Sequence, residues 1–135
     1  MRKDNFINLP VLVSDAHSRK GYDVFNIISN KYKYETILVS DKNVKRLSVV
    51  YLKRVYRLRT ADYKSFEKDL LNITNQVKSE IIYLPVSEKT TILFYKFITN
   101  NSSNDFKFVL PDLETFQLCR NKIKFQNFCK ENSIN

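Results

Sequence analysis

The stretch from residue 9 to residue 30 constrains the fold more than any other part of the sequence. It begins with the apolar, β-branched run Val11–Val13, which is typical of a strand buried on both faces. A polar loop, residues 14–20, follows, and then Gly21, the only glycine in the chain. Apolar residues then recur at helical spacing, so the stretch predicts a strand, a tight loop and a helix. Such a unit places its ligand at the carboxyl end of the strand, against the helix N-terminus.

Four further apolar segments predict strands. They are residues 35–41, 53–58, 81–84 and 106–110. The segment 53–58 alternates basic with apolar residues, which favours a less buried position at the edge of the sheet. The segment 81–84 is stopped by Pro85.

Amphipathic segments alternate with these strands. Helices are predicted at about residues 20–31, 62–78, from the N-cap Ser87 onward, from Pro111 through Cys119, and from Asn121 to about Glu131. The second has a continuous apolar stripe: Tyr63, Phe66, Leu70, Ile73 and Val77. The third is expected to bury Ile92, Tyr95 and Ile98. The last carries Ile123, Phe125 and Phe128 as its apolar residues.

Strands that alternate with helices indicate a parallel sheet with helices on both faces and right-handed crossovers. We therefore predict a Rossmann-like three-layer α/β fold with about five strands in the order 3-2-1-4-5. The most buried strands should be Val11–Val13, residues 37–39 and residues 81–83.

The bulk composition is that of a globular protein. The chain has 135 residues, 43% hydrophobic and 27% charged, which is enough for one sizeable core. No apolar run approaches the roughly 18–20 residues that span a bilayer, and the N-terminus lacks the features of a signal peptide. Cys119 and Cys129 have neither disulfide-framework nor metal spacing, so we expect reduced core or boundary cysteines in a cytoplasmic protein.

The net charge of +9 has two explanations. It could serve a nucleic-acid or phosphate-rich partner. It could also follow from a composition rich in Lys, Asn and Ile, which an A/T-biased coding sequence yields. The basic residues are spread over 42–46, 53–59 and 120–130 without an aromatic-interleaved RNA motif. We favour the compositional explanation and expect neither a nucleic-acid nor a membrane partner.

The loop 14–20 stands where a dinucleotide-binding fold has its glycine fingerprint. Asp41 follows Gly21 by twenty residues, near the distance expected of a ribose-binding acid. However, Asp15 and His17 occupy the places of glycines that let a pyrophosphate approach. A carboxylate there repels a diphosphate, so we predict that NAD, NADP and FAD do not bind.

Several polar residues are candidates for contacts with another ligand. Within the loop these are Asp15, His17, Ser18 and Arg19, of which Arg19 is best suited to an anion. His17 is the only histidine, and it has no nucleophile to serve as base, so a plain polar loop residue is the favoured interpretation. Ser87 and Glu88 follow the fourth strand and either share the crevice or only cap a helix. No set of residues has metal-ligand spacing.

Four stretches in order match a known family. Residues 11–23 read Val-Leu-Val-Ser-Asp-Ala-His-Ser-Arg-Lys-Gly-Tyr-Asp, residues 37–41 Ile-Leu-Val-Ser-Asp, and residues 81–88 Ile-Ile-Tyr-Leu-Pro-Val-Ser-Glu. Residues 110–135 contain a helix, the pair Asn121-Lys122 and a second helix. With these, the chain resembles the N-terminal, pre-ATP-grasp domain of ATP-grasp ligases, in the branch of the carbamoyl-phosphate synthase large chain.

The resemblance implies two parts, a pre-ATP-grasp domain at residues 1–110 and helices at residues 111–135 that lead toward an absent ATP-grasp domain. Lys122 is the one residue of this segment that would reach ATP. ATP and Mg²⁺ would bind to the full-length enzyme, and no cofactor is expected in this chain. The sequence departs from the family at Asp15 and His17, which replace glycines, and at Asn121, which replaces the aspartate of an Asp-Lys pair.

The implied function is the substrate side of a carboxylate–amine or carboxylate–thiol ligase, inactive alone and without catalytic residues of its own. Its expected partners are a small-molecule acceptor substrate and an ATP-grasp domain in cis, and a homodimer is left open. The alternative is a stand-alone, non-catalytic module that binds a small anionic metabolite or a protein partner in the same crevice.

Overall fold

The computed structural model describes residues 9–42, 55–102 and 105–134. Its strands are β1 (Val11–Val13), β2 (Thr36–Ser40), β3 (Val55–Arg57), β4 (Ile81–Leu84) and β5 (Phe106–Lys107). Its helices are α1 (Arg19–Asn26), continued by a π-helical turn (Ile27–Lys31), α2 (Tyr63–Val77), α3 (Glu88–Asn100), α4 (Leu113–Arg120) and α5 (Lys122–Glu131). The first two residues of the predicted strand 53–58 lie outside the described residues.

The five strands form one parallel sheet in the order β3-β2-β1-β4-β5. The central strand β1 pairs with β2 on one side, Val11 opposite Thr36, and with β4 on the other, Val11 opposite Ile82. The less buried β3 lies at an edge, as its alternating pattern predicts. The predicted fold, a Rossmann-like α/β sheet in the order 3-2-1-4-5, is confirmed.

Helices cover both faces of this sheet because alternate residues of the central strands point to opposite sides. On one face, Leu12 packs in a core with residues of α2 and α3, including Phe66 and Phe94. On the other, Val11 and Val13 pack against Phe25 and other half-buried residues of α1 and the turn after it. The apolar stripe predicted for α2 is confirmed, since Phe66, Leu70 and Ile73 are buried and Tyr63 and Val77 pack against them.

Helix α3 is rotated relative to the prediction. Tyr95 is buried as expected and Ile98 is half-buried, but Ile92 is exposed and Phe94 and Phe97 fill the core instead. The capping box formed by Ser87 and Thr90 fixes where the helix begins, and it turns Thr90 inward toward the end of the sheet. The regular spacing of Ile92, Tyr95 and Ile98 therefore did not identify the inner face of α3.

Strand β5 is shorter than predicted, two residues rather than five. It pairs with β4 only from Phe106 to Lys107, and Val109 is 98% exposed. The chain then leaves the sheet edge, where the Tyr95 hydroxyl donates to the carbonyl of Pro111 at 2.6 Å.

Helices α4 and α5 lie outside the layered core. Every residue of both is exposed or half-buried. α4 contacts α3 through the rings of Phe116 and Tyr95 and through Arg120, whose Nε donates to Glu88 Oε1 at 2.6 Å. Cys119 is exposed and Cys129 half-buried, so neither is a core residue. Across the described ranges, no helix is both long and apolar enough to cross a membrane.

Candidate ligand-binding site

Two adjacent strands end in the same tripeptide, Val-Ser-Asp. In β1 it places Ser14 and Asp15 at the carboxyl end, and in β2 it places Ser40 and Asp41 there. Parallel strands bring these ends to one edge of the sheet. At this edge β1 lies between β2 and β4, which is the switch point where α/β folds bind ligands.

The loop after β1, which in the structure comprises residues 14–18, turns sharply at Asp15. Asp15 has a φ of 57°, a left-handed conformation that aspartate tolerates better than most residues. The hydroxyl of Ser18 donates to the Asp15 carbonyl at 2.8 Å and accepts from the N–H of Gly21 at 3.0 Å, which caps α1. The backbone thus has here the shape expected of a glycine, while the residue carries a carboxylate.

The Asp15 carboxylate is held by two hydroxyls from different elements. Ser14 Oγ donates to Asp15 Oδ2 at 2.6 Å, and Thr90 Oγ1, from the first turn of α3, lies 2.9 Å from the same oxygen. Ser14 Oγ also accepts from the N–H of Val86 at 2.8 Å. These bonds join β1, the end of β4 and the start of α3 in one network.

Tyr83 lies beneath this network with its hydroxyl unpaired. The side chain is 1% exposed, and its ring stacks on Phe94 at 4.1 Å between centroids. Its hydroxyl has no hydrogen-bond partner among the described residues, although Ser14, Asp15 and Thr90 are its polar neighbours. Burial, aided by the charge of Asp15, raises the pKa of Tyr83 far above its ordinary value.

His17 lies on the β2 side of the same loop. Its Nδ1 is 3.0 Å from Ser40 Oγ, which is itself 2.8 Å from the carbonyl oxygen of Lys42 and accepts from the Lys42 N–H at 3.1 Å. The single proton of Ser40 must lie toward the Lys42 carbonyl, because two oxygen lone pairs at that distance would otherwise repel. His17 Nδ1 is therefore the donor to Ser40, and in the neutral ring Nε2 is an acceptor.

Asp41 is fixed from the next connection along the chain. The buried Thr60 hydroxyl donates to Asp41 Oδ2 at 2.7 Å. The residue before Thr60, Arg59, binds Asp69 of α2 through Nε at 2.8 Å, through Nη2 at 2.6 Å and through its backbone N–H at 2.9 Å. Each aspartate at this edge thus receives a threonine hydroxyl.

The remaining predicted residues point elsewhere. The Arg19 side chain is 94% exposed and lies 3.9 Å from Asp23, one turn further along α1. Glu88 is bound to Arg120, and Lys122 is exposed at the first position of α5. The structure therefore brings together Asp15, His17, Ser18, Asp41 and Ser87 at one edge, and turns Arg19, Glu88 and Lys122 away from the network that joins them.

Ser14 belongs to the loop that was expected to line the site. Four other polar residues of this edge were missed by sequence reasoning: Ser40, Thr60, Tyr83 and Thr90. The repeated Val-Ser-Asp tripeptide is a signal that could have identified Ser40. Thr60, Tyr83 and Thr90 are far away in the chain, so only the tertiary structure reveals them.

A second depression lies at the opposite, amino edge of the sheet. It encloses about 340 Å³ and is lined by Thr74, Asn75, Lys78, Ser79, Glu80 and Asp105. Its lining has no apolar side chain to anchor a ligand, and Glu80 is engaged with Lys107 at 2.9 Å. The carboxyl edge is therefore the better candidate.

Comparison with known proteins finds no matching family model, curated protein or solved structure. Within the ranges that the structure describes, no group of three His, Cys, Asp or Glu residues could hold a metal ion.

Proposed function

We propose that this chain is the substrate-side domain of an ATP-grasp carboxylate–amine or carboxylate–thiol ligase, similar to the N-terminal domain of the carbamoyl-phosphate synthase large chain. In this chemistry ATP phosphorylates a carboxylate, and a nucleophile then displaces the phosphate. The domain forms one wall of the acceptor-substrate site. ATP and Mg²⁺ bind to the ATP-grasp domain, so this chain alone turns over no ATP.

The observation that carries the proposal is the position of the matching stretches. The first three run through β1, β2 and β4, which are neighbours in the sheet, and each leaves its strand at the same edge. Residues that resemble the family therefore lie at one edge of the sheet, although they are up to about seventy positions apart in the chain. Matching residues scattered over the whole surface would not support a common ligand site.

The last two helices support a further domain. Ile123 of α5 is 72% exposed, and Phe125 and Phe128 are 44% and 39% exposed. Three large apolar side chains on a ten-residue helix are more than a solvated helix needs, and exposed apolar groups of this kind mark interaction surfaces. In this proposal α5 leads to the ATP-grasp domain and Lys122 faces the ATP.

The alternative, a stand-alone non-catalytic module, is favoured by a different observation. The hydrogen bonds of Asp15 and His17 are made with groups of this chain, so no second domain is needed to position these two side chains.

The coding sequence beyond Asn135 separates the two proposals. An open frame that encodes an ATP-grasp domain supports the ligase, and the corresponding longer protein should then consume ATP when the acceptor is supplied. A stop codon directly after Asn135, with no ATP-grasp protein that binds the chain, contradicts the ligase and leaves the module. ATP turnover by the 135-residue chain itself would contradict both.

A further inference from the structure

We infer that one side of α5 binds an amphipathic protein helix whose apolar face is flanked by acidic residues. The contact residues on this side are Phe125, Phe128 and Cys129, which we call the α5 stripe. The inference goes beyond the proposed function, which uses the exposure of α5 only to support a further domain. It rests on that function only in taking α5 as a surface that another protein segment covers.

The first argument is that α5 has no core of its own. All of its ten residues are exposed except Cys129, which is half-buried. The helix packs principally along α4, which has no buried residue either. An isolated helix shorter than about 12–15 residues is only marginally stable in water. A partner helix that covers the stripe would supply the packing that α5 lacks.

The second argument is the arrangement of side chains around α5. Successive residues of an α-helix are about 100° apart around its axis, so Phe128, Phe125 and Cys129 fall within an arc of about 100°. Lys124 lies about 40° beyond Phe128, and Lys122 lies about 20° beyond Cys129 at the other border. The stripe is therefore an apolar strip with a lysine along each side.

The third argument is the sign of the charge. The helix contains Lys122, Lys124 and Lys130 against one acid, Glu131. None of these lysines forms an ion pair with a residue that the structure describes. Acidic residues beside the apolar face of a partner would lie opposite the lysines, whereas a second copy of α5 would bring lysines against lysines. The charges therefore favour an acidic partner over self-association.

The size of the stripe favours a protein partner over a lipid surface. Its two aromatic rings, Phe125 and Phe128, stand on a helix of ten residues. A helix that lies in a membrane interface needs a broad apolar face. Protein partners bind a helix through a few anchors at i, i+3 and i+4, which is the spacing of Phe125, Phe128 and Cys129.

The experiment uses the 135-residue chain and two synthetic amphipathic peptides. Both peptides have the same leucine face, flanked by glutamate in one and by lysine in the other. Binding is followed by NMR through the backbone amide signals of α5. We expect saturable shifts with the glutamate peptide and binding at least about tenfold weaker with the lysine peptide. Equal affinity for the two peptides, or no shifts with the glutamate peptide, would overturn the inference.

The other occupants are tested on the signals of Phe125 and Phe128. The probes are vesicles of phosphatidylcholine and phosphatidylserine, an oligouridylate RNA, and dilution of the chain alone, all at physiological ionic strength. We expect none of them to change these two signals. Broadening with vesicles, shifts with RNA, or shifts that depend on protein concentration would overturn the inference in favour of lipid, RNA or a second copy.

Variants on opposite sides of α5 provide matched controls. Phe128→Gln, in the stripe, should weaken binding of the glutamate peptide about tenfold or more, whereas Ile123→Gln, on the far side, should not. Lys124→Gln should weaken binding about twofold to fivefold, and Lys130→Gln, also on the far side, should leave it nearly unchanged. Equal effects within either pair would reject the stripe. If Phe128→Gln unfolds α5, the comparison of the two peptides on the wild type still decides.

The outcome is independent of the ligase test. Binding of the glutamate peptide by a chain that has no ATP-grasp domain would reject the ligase and keep this inference. An ATP-grasp domain downstream of an α5 that ignores the glutamate peptide would do the reverse.

Discussion

Gly21 lies directly against the backbone carbonyl of Asp15. An ideal Cβ built on Gly21 would be 2.2 Å from the Asp15 carbonyl oxygen and 2.9 Å from that of Ser14. Both contacts are to backbone atoms, which cannot rotate away as a side chain does. The single glycine of the chain therefore stands where the first turn of α1 packs directly against the backbone of the loop.

We predict that Gly21→Ala destabilises the domain by about 1–3 kcal/mol, because the added methyl group forces the loop and α1 apart. At an ordinary helical site the same change stabilises by about 1 kcal/mol, so the sign is diagnostic. Urea unfolding measures the change. Asn72→Ala, on the exposed side of α2, is the control and should not destabilise. A stabilised Gly21→Ala variant would show that the contact is looser than described.

The second prediction concerns Asp69, which is 9% exposed and bound by Arg59. Burial by itself raises the pKa of Asp69, but the hydrogen bonds and charge of Arg59 outweigh it, and the pKa lies below its ordinary value. The resulting stability is present above the unfolded carboxylate pKa of about 3.9 and is lost as the pH falls further. We expect Asp69→Asn to cost about 1–3 kcal/mol at pH 7.

The pH dependence separates this ion pair from packing effects. Below about pH 4 the free energy of unfolding should fall less steeply in Asp69→Asn than in the wild type, because the variant lacks the titrating group. Asp23→Asn, which removes an exposed pair, should leave stability at pH 7 unchanged. Parallel pH profiles for wild type and Asp69→Asn would contradict the assignment.

The third prediction compares two buried tyrosines. Tyr83→Phe removes an unpaired hydroxyl and should be neutral or stabilise by up to about 1 kcal/mol. Tyr95→Phe removes a hydroxyl that donates to Pro111, and should destabilise by about 1 kcal/mol. Thermal melts of both variants make the comparison. A larger loss from Tyr83→Phe than from Tyr95→Phe would show that Tyr83 has a partner after all.

The fourth prediction concerns the two ends of α5. Lys122 begins the helix, where a cation is disfavoured by the helix dipole, and Lys130 lies in its last turn, where a cation is favoured. Lys122→Glu should stabilise the chain by about 0.3 kcal/mol or leave it unchanged, and Lys130→Glu should slightly destabilise it. Hydrogen exchange of α5 amides measures both. Strong destabilisation by Lys122→Glu would reveal a structural contact of Lys122.

The same Lys122→Glu change has a second readout if a longer ligase exists. There it should sharply reduce ATP turnover, while Lys130→Glu should not. Unchanged turnover would remove Lys122 from the ATP site.

The local pattern of apolar and polar residues predicted the sheet well. The buried runs of β1, β2 and β4 have few polar interruptions, so their burial followed from residue type alone. The rotation of α3 could not be predicted from spacing, because Phe94 and Phe97 compete with Ile92 and Ile98 for the core. The capping bond between Ser87 and Thr90 settles that competition.

The candidate site was predicted less completely. The position of the loop followed from the strand–glycine–helix pattern, and Asp15 and His17 were named on that basis. Their hydrogen-bond partners Thr90 and Ser40 are 75 and 23 residues away, so the state of each side chain depends on contacts that the local sequence does not contain.

Asn121 is at once the last cap of α4 and the first cap of α5, and its side chain accepts from the N–H of Lys124 at 3.0 Å. Only its φ of −98° and ψ of 100° separate the two helices. The two backbone torsions of this one residue therefore set the direction of α5 relative to α4. Asn121→Gly would allow a wider range of torsions at this position. Helix α5, with Phe125 and Phe128, would then adopt several orientations relative to the sheet, and the sheet itself would not change.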